Sequence, residues 1–211
     1  MKFPMVASFI VFVIMLTWRM YVVSKREEKD TESFLLREQD ANRTRRRNLD
    51  ELSYIYVPLE LFPVDVLADD RDIAECIRIL QDLQSQRILN LTGISNTQLK
   101  LDYGVANLET LSEYDANYTT LVTTVSRWAQ LLLSENHPAE AQTLLEYAVS
   151  VQTDIAADYI SLARLYLEAE TPERISELLD VARSLRSASR DRIVRSLEAL
   201  QIDQLLPTSD E

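Results

Sequence analysis

Glycine occurs only twice in 211 residues, at Gly93 and Gly104. Tight hairpin turns need residues that tolerate positive φ, so a chain this poor in glycine is a poor candidate for a hairpin-rich β fold. The same scarcity suits helices. Hydrophobic residues make up 46%, enough for a real core. The expected fold class is therefore all-α, and the length suits one compact domain plus an anchor rather than two full domains.

Residues 3–18, FPMVASFIVFVIMLTW, carry no charge, and counting on through Arg19 to Val23 gives 21 residues. A helix needs about 20 residues to cross the hydrocarbon of a bilayer. This predicts an N-terminal transmembrane helix over residues 1–23, with membrane contact through 3–23. Arg19 would reach the headgroups along its own stem, with Trp18 and Tyr21 at the interface. The competing reading is a cleaved signal peptide. It is disfavoured because bulky Trp18, Met20 and Tyr21 stand where a small-residue cleavage site is approached. Lys25, Arg26, Lys29 and Arg37 follow the run, which under the positive-inside bias places the soluble domain in the cytoplasm of a single-pass cell-membrane protein.

Residues 24–47 are mostly charged, without Gly or Pro, and predict a solvated helical stalk. Residues 1–47 hold ten Lys/Arg against six Asp/Glu, a net of +4, whereas residues 48–211 hold twelve against twenty-eight, a net of −16. An acidic domain is repelled by nucleic acid, so no nucleic-acid partner is expected. Arg43, Arg45, Arg46 and Arg47 form a basic cluster. It suits contact with anionic lipid or an acidic partner; the blander alternative is a solvated helix end pairing with the acidic domain.

Residues 48–104 predict an extended segment, a helix and a glycine-containing loop packed on the helical domain. Pro58 and Pro63 exclude a regular helix through LSYIYVPLELFP, whose apolar side chains are too many for a free linker. Residues 69–88 predict a helix, with Asp69, Asp70 and Asp72 at its positive end and Ile73, Ile77, Leu80 and Leu83 on one face. Cys76, the single cysteine, sits beside that face as an inert thiol. In residues 89–104, Asn96 or Thr97 would cap a short helix ending at Tyr103. Sequons begin at Asn42, Asn90 and Asn117 and are read as chance occurrences.

From Val105 the pattern is helical again, punctuated by Pro138 and Pro172, which are 34 residues apart and stand near helix starts. Laying residues 122–155 over 156–189 puts Trp128 on Leu162, Ala129 on Ala163, Leu132 on Tyr166, Leu145 on Leu179 and Ala148 on Ala182. Small residues meet small ones and large apolar residues meet large ones. Over these 68 residues the chain resembles the tetratricopeptide repeat. The resemblance implies two degenerate helical hairpins, 122–155 and 156–189, within a domain spanning 105–211. Departures are Ile175 opposite Ala141, and Thr153 and Ser187 in place of the closing proline. Residues 189–201 then form a capping helix.

In that family the first helices of the hairpins line a groove for peptides or protein segments. Carried over residue by residue, the groove positions are Ser126, Arg127 and Gln130 in the first hairpin and Ile160, Ser161 and Arg164 in the second. The two arginines could read a carboxylate on a protein or peptide partner, or pair with neighbouring acids. The sequence offers little chemistry: His137 is the only histidine and no HExxH or phosphate-loop spacing occurs. No catalytic residue, cofactor or metal is expected. The functional expectation is a membrane-tethered interaction or scaffold module without catalysis. A second reading is a ligand-binding or enzymatic domain with a site in residues 90–102, where Asn90, Asn96, Lys100 and Asp102 would converge. A third is a structural stub that only holds the membrane segment.

Overall fold

The computed structural model describes residues 3–205; side chains are described except at 3–8, 10, 11, 24, 26–31 and 203–205. Its helices are α1 (Phe3–Arg43), α2 (Arg71–Leu83), α3 (Asn96–Tyr103), α4 (Leu108–Ser134), α5 (Pro138–Ser150), α6 (Ala156–Glu168), α7 (Arg174–Ser184) and α8 (Arg190–Leu205). Short 3-10 turns stand at Leu59–Leu61 and Val105–Asn107. No strand occurs among the described residues. The chain divides into two units: Met1–Asn48 with Ser95–Leu108, and Leu49–Ile94 with Glu109–Glu211.

The first unit corrects the expectation of an N-terminal transmembrane helix. Among the described residues, no helix is long and apolar enough to cross a membrane. The uncharged run 3–18 is 16 residues, short of the span, and reaching 21 required placing Arg19 inside it. The same 41-residue helix then continues through the charged residues to Arg43. The transmembrane anchor at 1–23, the single-pass cell-membrane placement and the orientation argued from them fall with this finding. The described apolar side chains of α1, Phe9, Phe12, Trp18 and Met20 among them, are exposed.

Within this unit α3 packs beside α1. Ser95 caps α3, its Oγ accepting from the Gln98 N–H at 3.2 Å, so the cap lies one residue before the expected Asn96 or Thr97. Lys100 of α3 pairs with Glu38 of α1 at 2.8 Å, and the Thr97 hydroxyl donates to the same carboxylate. These two donors, Lys100 first, hold the Glu38 carboxyl below its usual range.

The second unit is built on an apolar core. Asp70 caps α2, its carboxylate accepting from the N–H groups of Asp72 (2.9 Å) and Ile73 (3.0 Å). The helix stops at Leu83, before the expected 88, because Ile88 leaves it to accept the Ile55 N–H at 2.9 Å. Val57 and Phe62 of the extended segment are buried. The Phe62 ring meets Trp128 and Tyr147 edge-on, with centroids 6.0 and 5.0 Å apart. Cys76 is buried, and that burial pushes its thiol pKa up.

Between α4 and α8 several features recur at a spacing of 34 residues. Helices α4 and α6 end at Ser134 and Glu168, and α6 and α8 begin at Ala156 and Arg190. Asn136 and Glu170 both take positive φ, at 63° and 56°. Each sits in a Schellman turn: His137 N–H donates to Leu132 O, and Thr171 N–H to Tyr166 O, both at 2.8 Å. Gln152 (φ 62°) closes α5 in the same way, with Thr153 N–H donating to Ala148 O. Where the closing proline is missing, Thr153 and Ser187 act alike. Their hydroxyls accept from the N–H groups of Ile155 (3.3 Å) and Ser189 (3.1 Å). The paired positions Trp128/Leu162, Ala129/Ala163, Leu132/Tyr166, Ala141/Ile175, Leu145/Leu179 and Ala148/Ala182 are all buried. Helix α5 packs on α6, α6 on α7, and α8 on both α6 and α7.

Candidate functional site

The six expected groove residues are scattered in role. Ser126 is buried and its hydroxyl donates to Asp158 at 2.5 Å. Asp158, near the start of α6, is itself fully buried and also accepts from the Thr153 hydroxyl at 3.2 Å. Burial outweighs these two hydrogen bonds and pushes the Asp158 pKa up to about 6. Arg127 is exposed, and pairs with Asp72 (2.5 Å) and Glu75 (3.3 Å) of α2. Gln130 donates to Ser161 across the α4–α6 seam at 3.2 Å. Ile160 is half-buried beside them. Arg164 is exposed and makes no ion pair among the described residues. The structure therefore brings Gln130 and Ser161 together, turns Ser126 into the interior and engages Arg127 with its own chain.

The residues of the 90–102 reading fall in both units. Asn90 belongs to the second unit, and Asn96, Lys100 and Asp102 to the first. Lys100 is held by Glu38, and Asp102 accepts from Gln98 one turn back along α3 at 2.9 Å. His137 stands at the start of α5, with Nδ1 3.7 Å from the Glu140 carboxylate. Among the described residues, no group of three His, Cys, Asp or Glu is placed to hold a metal ion.

A cleft of about 360 Å³ opens elsewhere in the second unit, lined by Ser53, Ile55, Tyr56, Leu89, Asn90, Ser150, Val151, Gln152 and Arg186. Its walls are tied from several directions. Asn90 Nδ2 donates to Val151 O at 3.3 Å, while its Oδ1 accepts from the Thr92 N–H at 3.0 Å. The Tyr118 hydroxyl lies 3.1 Å from Val151 O and 2.8 Å from Gln152 O. Gly93, at φ +79°, lets the loop meet the Arg186 backbone; a Cβ there would stand 2.6 Å from Arg186 O. The Tyr147 hydroxyl donates to Tyr56 O at 2.7 Å, while the Tyr56 ring itself is exposed.

Arg186 is exposed and makes no ion pair among the described residues. The unit around it holds eleven Lys/Arg against twenty-seven Asp/Glu, a net of −16. Side-chain amides, hydroxyls and one guanidinium can bind a polar or anionic group there. Covalent catalysis by Ser53 or Ser150 would need a base beside the hydroxyl, and the cleft lining offers none. Of the residues named from the sequence, Asn90 lines this cleft; the rest of the lining was missed because it is dispersed over 53–186. A second usable signal was Gly93, whose conformation sets the wall.

Comparison with protein-family models gives no match, and comparison with curated proteins and with solved structures gives none of significance.

Proposed function

We propose that this chain is a non-catalytic protein-interaction module, a short stack of tetratricopeptide-like hairpins whose cleft takes an acidic group of a partner segment. The observation that carries the reading is Arg186, an uncommitted cation in a half-polar cleft of a unit with net charge −16. A guanidinium binds a carboxylate through two parallel hydrogen bonds, which gives direction as well as attraction. The exposed Tyr56 ring at the rim adds an amphipathic contact surface of the kind enriched at binding sites. Support for the hairpin reading comes from the 34-residue recurrence of helix ends, Schellman turns and hydroxyl-capped turns. Of the expected groove, Gln130, Ile160, Ser161 and Arg164 remain available as a second contact strip.

A photoreactive group placed at Gln152 tests this in cells. A specific protein cross-linked in the wild type and lost in Arg186→Glu supports the reading. An unchanged set of cross-links in that variant rejects the cleft as the docking site. The cleft volume also lies at the lower end for small-ligand sites. Stabilisation of the purified protein by a small dicarboxylate, abolished by the same variant, would move the assignment to that class.

A further inference from the structure

The first unit holds a second basic feature, which the cleft does not involve. The chain leaves α1 at Arg43 and runs through Thr44, Arg45, Arg46 and Arg47 without regular structure. Such a run would ordinarily be loose, yet here it is clamped. Asn107 is fully buried. Its Nδ2 donates to Arg47 O at 2.7 Å and to Tyr103 O at 2.8 Å. Its Oδ1 accepts from Arg46 Nε at 3.0 Å. Arg47 N–H donates to Tyr103 O at 3.0 Å. Gly104, at φ +85°, presses against the same run; a Cβ there would stand 2.6 Å from Arg45 O.

The clamp commits one arginine and releases the others. Arg46 turns to Asn107, while Arg43, Arg45 and Arg47 are exposed and make no ion pair among the described residues. Two acids of the unit are engaged elsewhere, Glu38 by Lys100 and Thr97 and Asp102 by Gln98, and Asp40 on α1 forms no ion pair with these arginines among the described residues. The whole unit holds eleven Lys/Arg against seven Asp/Glu, a net of +4, in a chain of net −12.

We propose that this clamped loop is a binding site for an acidic protein segment, read by Arg45 and Arg47 with Arg43 as a third cation. A guanidinium takes a carboxylate through two parallel hydrogen bonds, and three exposed arginines within five residues offer this to successive carboxylates of one acidic segment. Holding the loop in place before binding lowers the ordering cost that a free arginine-rich tail would bear. A nucleic acid fits less well. Single-strand sites combine basic residues with exposed aromatic stacking platforms, and residues 42–48 contain no aromatic side chain.

The test uses the full chain and a fluorescein-labelled octaglutamate peptide, read by anisotropy in 50 mM salt. The expected result is saturable binding that weakens on raising salt to 300 mM and at least tenfold in Arg45→Glu/Arg47→Glu. Arg186→Glu leaves it unchanged, which separates this site from the cleft. Arg45→Lys/Arg47→Lys keeps the charge and loses the fork, and should retain only part of the affinity. Unaltered hydrogen exchange at the amide of residue 47, which donates to Tyr103 O, shows that the clamp is intact in the variants. The proposal is overturned if the double reversal binds the peptide as the wild type does. It is equally overturned if a labelled oligothymidylate binds more tightly than the peptide and is lost in the same variant.

Discussion

In the second unit Leu121, Trp128, Leu132, Leu145 and Leu162 pack with essentially no exposure, and the extended segment adds Val57 and Phe62 to the same core. In the first unit the buried described residues are Ala41, Leu99, Gly104 and Asn107, and the hydrogen bonds of Asn107 carry the connection that apolar packing supplies in the other. Apolar burial accumulates over many contacts and tolerates the loss of one. A polar hub fails as a unit, because removing its centre leaves several buried groups unpaired. The first unit should therefore open at lower free energy than the second, and its stability should rest on few residues.

Trp128→Ala gives the largest effect, a loss of about 3–5 kcal/mol in urea unfolding of the second unit. Trp128→Phe should cost much less, because the indole N–H has no hydrogen-bond partner among the described residues and its removal leaves nothing unpaired.

Next is the pH response of Asp158. Its pKa rises from 3.8 to about 6 on folding, so between those values the folded state binds the extra proton. Its contribution is greatest below about pH 4, falls as pH rises to about 6, and stays low above; the span is about 3 kcal/mol. Asp158→Asn should remove this slope in denaturation measured from pH 4 to 7.5. An unchanged slope would mean that the carboxylate is solvated rather than buried.

Asn107→Ala should lower the opening free energy of the first unit by about 1–3 kcal/mol. Hydrogen exchange at the Arg47 amide reads this directly, with the exchange of core amides in α5 and α6 unchanged. If core exchange accelerates equally, the two units unfold as one and the contrast between them is lost. A smaller change is Glu170→Gly, at a left-handed helix end where glycine carries no Cβ penalty. It should stabilise the second unit by about 0.5–1 kcal/mol in the same urea assay. Lys100→Met should have the smallest effect, visible in hydrogen exchange of α3. It should be greatest at low salt and vanish as pH falls through the Glu38 titration, since that carboxyl is held below its usual range.

Helical periodicity made most of the second unit legible. The alternation of Trp128, Ala129 and Leu132 and its 34-residue echo marked side chains that do lie in the core. Proline and aspartate marked helix starts, and Asp70 and Pro138 stand at them. What stayed hidden depends on pairs far apart in the chain. Asp158 reads as one more solvated acid until Ser126 and Thr153 are found against it. Asn107 carries no signal in its neighbours, because its partners are 60 residues away or are backbone atoms. The span error at residues 1–23 had a different origin: apolar length was counted past a charge to reach the required number.

The two glycines have a consequence for the gene. Each lies where another stretch of backbone leaves no room for a methyl group, with a carbonyl oxygen 2.6 Å from the position a Cβ would take. Every missense change in a glycine codon adds at least that methyl. Codons 93 and 104 therefore have no conservative missense neighbour: any replacement must displace main chain, one beside the cleft and the other beneath the arginine loop. Variation in this chain should be freely written on its exposed helix faces and almost never at those two positions.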